Sequence, residues 1–323
     1  MYYNTLKGTG LKVSKLCLGT MTFGGQTSEE DSLRILDKAW DEGVNFFDTA
    51  DIYTGGISEK ITGKALEKKR TDAVIATKVR GPRGKFPNQS GLGRKHIIAN
   101  VEESLRSLRT DYIDLLYLHS PDPETPVEET VETLTDLVRS GKIRYYGLSN
   151  YGAWQCCQFI HTAREMHAVA PVVTESVYNL ITRGLDDEMV PFLNEYKMGL
   201  AVYNPIAAGL LTGKHKREKP NEGTRFDLEK GYAMRYWNDQ NLDAVEALTK
   251  IAEGEGMNLL EFSLVWLTNR PAVDSIIMGV SKLSQLEENL GYFEEKKTLS
   301  ADAMKKCDEL WESIRGRYFN YHR

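Results

Sequence analysis

Eight short apolar runs that alternate with amphipathic segments constrain the fold of this chain more than any other feature of its sequence. Apolar runs of about four to eight residues that alternate with helical patterns are typical of buried parallel strands joined by crossover helices. Eight such strands fit a closed barrel better than an open, doubly wound sheet. We therefore predict an α/β fold, a (β/α)₈ TIM barrel, with strands at 15–20, 44–49, 72–78, 112–119, 143–150, within 170–179, and at 199–206 and 273–281.

The segments between these strands predict helices, one hairpin and two long loops. Residues 2–14 are expected to form an N-terminal β-hairpin that turns at Gly8–Gly10. The irregular stretches 80–93 and 207–240 follow the third and seventh strands, so they are expected as substrate loops at the C-terminal rim. No interdomain linker is visible, and residues 1–323 are expected to form a single domain. Helices are expected at 28–43, 58–68, 94–109, 126–142, 152–168, 186–197, 241–254, 258–270, 281–293 and 301–314.

The composition argues against several classes of partner. The net charge is −5, so neither nucleic acid nor an anionic membrane surface is an expected partner. No apolar run approaches the roughly 18–20 residues of a membrane-spanning helix, and the start MYYNTLKG lacks the pattern of a secretory signal. The four cysteines have no metal-binding spacing. We therefore expect a cytoplasmic protein with reduced thiols and no bound metal.

Four polar residues lie at or just after the ends of three successive predicted strands. Asp48 is near the end of the second strand and Tyr53 follows that strand, Lys78 ends the third and His119 ends the fourth. Taken singly, they have plainer interpretations as a turn aspartate, a packing tyrosine, a solvated lysine and a structural histidine. In a β/α barrel, however, the C-terminal strand ends and the loops after them form the active-site rim. We therefore expect these four side chains to meet in one cleft.

An acid, a phenol, an amine and an imidazole together suit the reduction of a carbonyl group. The phenol of Tyr53 can deliver the proton that the product oxygen needs, and an ammonium at Lys78 is expected to lower its pKa from the usual value of about 10. Asp48 is expected to hold Lys78 in place, and His119 to orient the substrate oxygen by a hydrogen bond. An alternative chemistry is a Schiff base on Lys78, as in barrel aldolases.

The sequence motifs resemble those of the aldo-keto reductases over nearly the whole chain. The resemblance rests on LCLGTMTFGG, GVNFFDTADIYTGG, IATKV, GLGRKHI, SLRSLRTDYIDLLYLHSPDPETP, LVRSGKIRYYGLSN, YNPIAAGLLTGK and GVSKLSQLEENL. It implies that Asp48, Tyr53, Lys78 and His119 form a catalytic tetrad, with Tyr53 as the general acid and base. It also implies an NADP(H) cofactor, or less often NAD(H), bound without a GxGxxG fingerprint, and none follows a predicted strand here.

The resemblance also implies which residues bind the cofactor. Ser149 and Asn150 are expected at the nicotinamide carboxamide, and Tyr203 is expected to stack on the nicotinamide ring. The residues expected near the cofactor phosphates are Asn204, Pro205, Ile206, Gly209, Lys214 and Arg225. Those expected around the adenosine and its 2′-phosphate are Gly279, Ser281, Gln285, Glu288 and Asn289, with Lys282 adding charge at a helix start.

Glu175 departs from the family pattern, which usually has glutamine at this position. An ionised Glu175 can only accept hydrogen bonds and places negative charge near a ring that is positive when oxidised. We therefore predict that Glu175 favours NADP⁺ over NADPH, compared with a Glu175→Gln variant. A protonated or outward-facing Glu175 is the alternative.

The substrate is less constrained than the cofactor. The long segment after the seventh strand resembles aflatoxin-aldehyde and succinic-semialdehyde reductases, whereas PNQSGLGRKHI resembles bacterial members that act on sugars and small ketones. We expect a small carbonyl or alcohol substrate and a monomer or homo-oligomer. The alternative function is a cofactor-binding regulatory subunit similar to potassium-channel β subunits. The rim candidates are Met21, Phe23, Arg80, Tyr236 and Trp237, with Arg225, Arg235 and Arg323 as candidates for an anionic group.

Overall fold

The structure is a computed structural model that describes residues 1–215, 217, 220, 224–228 and 230–316. In this part of the chain, eight parallel strands close a barrel in the order β10-β3-β4-β5-β6-β7-β8-β9, with helices between successive strands, so the predicted (β/α)₈ fold is confirmed. The barrel strands are β3 (Leu16–Gly19), β4 (Phe46–Asp48), β5 (Val74–Val79), β6 (Ile113–Leu118), β7 (Ile143–Ser149), β8 (Val173–Val177), β9 (Gly199–Tyr203) and β10 (Ser275–Gly279).

The N-terminal hairpin is also present. Its strands β1 (Tyr3–Thr5) and β2 (Lys12–Ser14) pair antiparallel, with Asn4 opposite Val13. Leu6 and Val13 are fully buried and belong to the same apolar cluster as the inward-facing barrel side chains. The hairpin therefore adds apolar side chains to the barrel core. The barrel members of this cluster are Cys17, Phe46, Val74, Ala76, Leu115, Tyr117, Val173, Ala201 and Ile277.

The helices begin and end close to the predicted positions. The Ser28 side chain caps the first helix by accepting a hydrogen bond from the Asp31 backbone N–H at 3.1 Å. The described residues of the stretch 207–240, which the sequence predicted to be irregular, include a 3₁₀ helix at Ala207–Thr212 and two short α-helices. The helices are α1 (Glu29–Asp41), α2 (Ile57–Leu66), α3 (Arg94–Leu108), α4 (Val127–Arg139), α5 (Ala153–Glu165), α6 (Met189–Tyr196), α7 (Arg225–Leu228), α8 (Lys230–Tyr236), α9 (Asp239–Gly254), α10 (Leu259–Thr268), α11 (Leu283–Gly291) and α12 (Ala301–Ile314).

The chain divides into two compact units. The first comprises Met1–Ser176, Asp186–Tyr203 and Ala272–Glu295, and it holds the hairpin and all barrel residues except Val177. The second comprises Val177–Leu185, Asn204–Pro271 and Lys296–Arg323. The expectation of a single domain over residues 1–323 stays a prediction.

The second unit has its own core around Trp266 of α10. The Trp266 ring is fully buried, its centroid lies 5.3 Å from that of Tyr178, and the guanidinium of Arg183 lies 5.1 Å from its centroid. Arg183 also forms an ion pair of 2.7 Å with Asp308 of α12. These contacts hold α10 and α12 to the segment Val177–Leu185.

Across the described residues, no helix is long and apolar enough to cross a membrane. The same residues hold no group of three or more His, Cys, Asp or Glu side chains arranged for a metal ion.

Candidate active site

Four side chains predicted from the sequence lie at successive strand ends of the first unit. Asp48 is the last residue of β4, Lys78 is the next-to-last residue of β5, and His119 directly follows β6. Tyr53 begins a short 3₁₀ turn, Tyr53–Gly56, which follows β4 and leads into α2. Because β4, β5 and β6 are neighbouring parallel strands, their C-terminal ends bring these residues to one side of the barrel.

Local hydrogen bonds fix the turn that carries Tyr53. The Tyr53 backbone N–H donates to the Ala50 carbonyl at 3.1 Å. The next residue, Thr54, adopts a left-handed conformation with φ of 48°, and its hydroxyl lies 2.8 Å from the Phe23 carbonyl. A non-glycine residue in this region is strained and needs support from its surroundings. The turn is therefore held in one conformation, which places the Tyr53 ring beside Lys78.

Lys78 is the centre of the site's electrostatics. Its side chain is fully buried, and its Nζ lies 2.5 Å from Asp48 Oδ1, 2.9 Å from the Thr49 carbonyl oxygen and 3.6 Å from Glu175 Oε2. Burial alone would lower the pKa of Lys78, but the charge of Asp48 and then that of Glu175 raise it well above the usual value. Lys78 is therefore an ammonium at neutral pH.

The Tyr53 ring lies between this ammonium and the imidazole. Lys78 Nζ is 5.1 Å from its centroid, and the His119 ring meets it edge-on with 5.9 Å between centroids. Burial raises the pKa of the Tyr53 phenol above the usual value, and the Lys78 charge offsets only part of this rise. The expectation that the amine lowers this pKa below the usual value is therefore wrong for the protein without cofactor, because desolvation outweighs the attraction. Tyr53 is a protonated phenol at neutral pH.

His119 is a neutral imidazole. Burial, followed by the positive charges of Lys78 and Arg80, lowers the pKa of His119 to about 3. A neutral imidazole has one N–H that donates and one nitrogen that accepts. His119 can therefore donate a hydrogen bond to a substrate oxygen without carrying a charge.

Three predicted cofactor residues form a connected group with His119. The Asn150 amide nitrogen donates to the His119 carbonyl at 3.0 Å and to Ser149 Oγ at 3.1 Å. The Tyr203 hydroxyl donates to the Asn150 amide oxygen at 2.7 Å. Asn150 has a φ of 64°, a left-handed conformation that turns its side chain into this network. The chemistry of these groups suits a nicotinamide, because an aromatic ring can stack on its ring and the amide and hydroxyl groups can hydrogen bond to its carboxamide.

The predicted adenosine residues lie at and after the end of β10. Gly279 is the last residue of that strand, and Ser281 donates from both its N–H and its hydroxyl to Gln285 Oε1, at 2.9 and 3.3 Å. Gln285 and Glu288 are exposed on α11, whereas Asn289 is only 5% exposed. The start of α11 presents backbone N–H groups, which favour an anion such as a phosphate.

The remaining predicted cofactor residues belong to the second unit. Within residues 204–209, four residues have a positive φ, and three of them are not glycine: Asn204, Ala207, Ala208 and Gly209. The Asn204 side chain accepts from the Ala208 N–H at 2.6 Å and donates to the Tyr236 hydroxyl at 2.7 Å. Strained backbone of this kind clusters at ligand-binding loops. The cofactor roles of Asn204, Pro205, Ile206, Gly209 and Lys214 stay predictions.

Two candidate arginines fall outside what the structure describes. The backbone of Arg225 begins α7, but its side chain lies outside the described residues, as does the whole of Arg323. Their predicted roles at an anionic group are therefore left as predictions.

The rim candidates differ in exposure. Phe23 has no exposed surface and Tyr236 only 6%, so the expectation that these two line an open substrate pocket is wrong. Phe23 lies in a tight loop in which its N–H donates to the Thr20 carbonyl at 3.0 Å, and this loop turns the ring into the core. Met21, Arg80 and Trp237 are half-buried, so they keep accessible surface.

The structure adds residues that sequence reasoning missed. Tyr117 and Cys17 are fully buried below the tetrad, and Lys78 Nζ lies 6.0 Å from the Tyr117 ring centroid. Tyr117 is the register partner of Lys78 on the neighbouring strand. The signal was available, because Tyr117 lies two residues before His119 and alternate strand residues share a face.

Known proteins resemble this chain over nearly its whole length. The model of the aldo/keto reductase family matches residues 15–312, which confirms the resemblance predicted from the motifs. A probable voltage-gated potassium channel subunit beta of Oryza sativa subsp. japonica is 35% identical, covering 99% of this chain and 100% of that protein. One of Arabidopsis thaliana is 36% identical and covers 97% of each. A putative subunit of Schizosaccharomyces pombe is 37% identical, covering 95% of this chain and 92% of that protein.

Proposed function

Because the chain belongs to the aldo/keto reductase family, we propose that it is an NADP(H)-dependent oxidoreductase that reduces an aldehyde or ketone to the alcohol, or runs the reverse oxidation. The observation that supports this most directly is the group formed by Lys78, Asp48, Tyr53 and His119. The finer resemblance to aflatoxin-aldehyde reductases and to bacterial sugar or ketone reductases stays a prediction.

Tyr53 is the proposed proton donor. Its phenol is protonated at neutral pH, so it has a proton to give to a carbonyl oxygen on which negative charge develops. The phenolate that remains is stabilised by the Lys78 ammonium next to the ring. Asp48 keeps that ammonium fixed by an ion pair of 2.5 Å. In the reverse direction the phenolate takes the proton of the alcohol.

His119 is the proposed orienting group. Its neutral imidazole donates a hydrogen bond to the same oxygen, and its edge-on contact with Tyr53 places the two donors side by side. Fixed donors aimed at an oxygen that gains charge stabilise the transition state, because they need no reorganisation during the reaction. The Schiff-base alternative is disfavoured because the Lys78 ammonium has a raised pKa, whereas a nucleophilic lysine needs a lowered one.

The proposed cofactor is a nicotinamide dinucleotide, which supplies the hydride when bound. Ser149, Asn150 and Tyr203 are the residues proposed to hold its ring. A preference for NADP(H), with NAD(H) possible, is supported by Ser281 and Lys282 at the start of α11, where a 2′-phosphate would meet hydroxyl, backbone N–H and ammonium groups.

The experiment that tests this proposal is a screen of aldehydes, ketones and sugars with each reduced and oxidised cofactor, followed by nicotinamide absorbance. We expect steady turnover of at least one small carbonyl compound, faster with NADPH than with NADH. Tight cofactor binding without turnover of any compound would contradict the proposed enzyme.

A regulatory cofactor-binding subunit is the second candidate. The names of the relatives favour it, since three full-length relatives are described as probable or putative potassium channel β subunits. In that case a channel protein or a second copy of this chain is the partner, and the bound cofactor turns over slowly or not at all. Co-purification with a potassium channel, together with the lack of steady turnover, would favour this function.

Two further properties are part of the proposal. We propose that the chain acts in the cytoplasm, in line with its four free cysteines. We also propose that its two units work as one domain, as predicted from the absence of a linker in the sequence.

A further inference from the structure

Two buried carboxyl groups share one buried ammonium in this site. Asp48 Oδ1 and Glu175 Oε2 lie 2.5 and 3.6 Å from Lys78 Nζ, and the two acidic side chains are 4% and 5% exposed. If both carboxyls were ionised, the group would carry one excess negative charge. An uncompensated buried charge is costly, so burial favours a neutral form of one member.

Other groups around Glu175 do not remove this excess. Burial raises the pKa values of the neighbouring thiol and phenols, so they are uncharged at neutral pH. The groups that face Glu175 are Asp48 from β4, Lys78 from β5, Tyr117 from β6, Cys17 from β3 and Tyr53 from the turn after β4.

Two carboxyl oxygen atoms without a hydrogen-bond donor indicate where a proton binds in this group. Among the described residues, Asp48 Oδ2 and Glu175 Oε2 are buried and have no hydrogen-bond donor. Ionised carboxyl groups can only accept, so two of them leave these atoms unsatisfied. A proton on Glu175 turns that group into a donor to Asp48, and the two side chains are close enough to hydrogen bond in this way.

We propose that Glu175 is a neutral carboxylic acid in the free protein, that it donates a hydrogen bond to Asp48, and that it releases its proton to solvent when the oxidised, positively charged form of the nicotinamide cofactor binds. This proposal rests on the proposed cofactor. It makes Glu175 a residue that distinguishes the oxidised from the reduced cofactor. The net charge of the site stays the same, because the positive charge of the nicotinamide ring replaces that of the departing proton.

The direction of the pH dependence follows from the same group. Burial, and then the charge of Asp48, raise the pKa of Glu175 to about 8. Below this pH the acid holds its proton, so binding of the oxidised cofactor has to expel it. Affinity for NADP⁺ then increases with pH by up to about tenfold per pH unit for one released proton. Affinity for NADPH, whose ring is neutral, lacks this increase.

The first test examines the protein without cofactor. Infrared spectra near neutral pH are compared for the wild type, Glu175→Gln and, as a matched control, Glu30→Gln at an exposed position. We expect the C=O stretch of a protonated carboxyl group to weaken in Glu175→Gln and to stay in Glu30→Gln. Asp51 and Glu59, whose pKa values are also raised by burial, contribute equally to all three spectra and cancel in the difference.

A second measurement uses the wild type, so it does not depend on whether the variant folds. In the wild type, the same band is expected to decrease in two steps as the pH rises, one near pH 7 from Asp51 and one near pH 8 from Glu175. Identical bands in wild type and Glu175→Gln, or a wild-type band without the step near pH 8, would overturn the neutral acid.

The last test measures protons released on binding. NADP⁺ and NADPH are titrated calorimetrically in buffers of different ionisation enthalpy, into the wild type and into Glu175→Gln. We expect net proton release with NADP⁺ only, and its loss in the variant; the 2′-phosphate is common to both cofactor forms and cancels. Equal proton release with both forms would overturn the coupling. Failure of either form to bind would overturn the proposed function and the coupling together, while the infrared result would still decide whether Glu175 is neutral.

Discussion

Replacing Lys78 with methionine tests whether the buried ammonium holds the site together. Lys78 is 0% exposed, and the side chains of Asp48 and Glu175 that contact it are 4% and 5% exposed. Methionine fills a similar volume, so the main loss is electrostatic rather than a cavity. Removing one partner of a buried ion pair costs about 3–5 kcal/mol of unfolding free energy. We expect a loss of this size for Lys78→Met at about pH 8.

The loss should shrink in acid. Without the ammonium, burial keeps the folded-state pKa of Asp48 above its unfolded value of about 3.9. The folded variant then binds more protons than its unfolded chain. Protonation of Asp48 therefore stabilises the folded variant fully below the unfolded-state pKa, and this stabilisation is lost as the pH rises through the folded-state pKa. We therefore expect the difference in stability between wild type and Lys78→Met to be smaller at about pH 5 than at about pH 8.

The assay is urea unfolding at both pH values, followed by circular dichroism and by the fluorescence of the five tryptophans. The double variant Asp48→Asn/Lys78→Met should recover about 2 kcal/mol or more, because it removes the orphaned charge as well. The control is Lys64→Met, which breaks an exposed pair with Glu29 of 2.6 Å and should cost less than about 1 kcal/mol. An equal, small loss for Lys78→Met at both pH values would refute this reasoning.

Three further predictions concern packing and protonation. Gly63→Ala should destabilise the protein by about 1–3 kcal/mol, since the added Cβ would lie 2.5 Å from the backbone of Leu108. The control Gly254→Ala, where the Cβ meets open space, should be neutral or slightly stabilising. Equal effects of the two substitutions in urea unfolding would contradict this prediction. Leu6→Ala should cost about 2–5 kcal/mol in the same assay, because Leu6 is fully buried against the barrel, and a loss below about 1 kcal/mol would refute that role. The ring signals of His119 in NMR spectra should stay unchanged between about pH 5 and 8, because its pKa lies near 3; a titration in that range would show the imidazole to be far less buried.

The sequence predicted the architecture well because each barrel strand shows its own local run of apolar residues. The runs that end in Lys78 and His119 mark β5 and β6 to within one or two residues, since fully buried parallel strands are nearly continuous in apolar residues. The helix over 301–314 was predicted with its observed ends. The short helices α7 and α8 were missed because segments of four and seven residues hold too few turns to show a helical period.

The site was predicted in its members but not in its energetics. Lys78 and Glu175 are far apart in sequence, and their strands β5 and β8 are not neighbours in the barrel. Their contact depends on how inward-facing side chains of different strands pack, which no local pattern records. The pKa of Tyr53 depends on whether desolvation or the Lys78 charge is larger, and only the buried geometry decides that balance.

The most direct test of the proton-donor role is the change of Tyr53 to phenylalanine, which removes one hydroxyl. Turnover of the best carbonyl substrate with NADPH is compared for wild type, Tyr53→Phe and the control Tyr3→Phe, whose hydroxyl contacts Gly43 on the hairpin side. We expect kcat to fall by about 10²–10⁴-fold in Tyr53→Phe, with the Kd for NADPH and the activity of Tyr3→Phe unchanged. A Tyr53→Phe enzyme within about tenfold of wild type would contradict a phenol that delivers the proton.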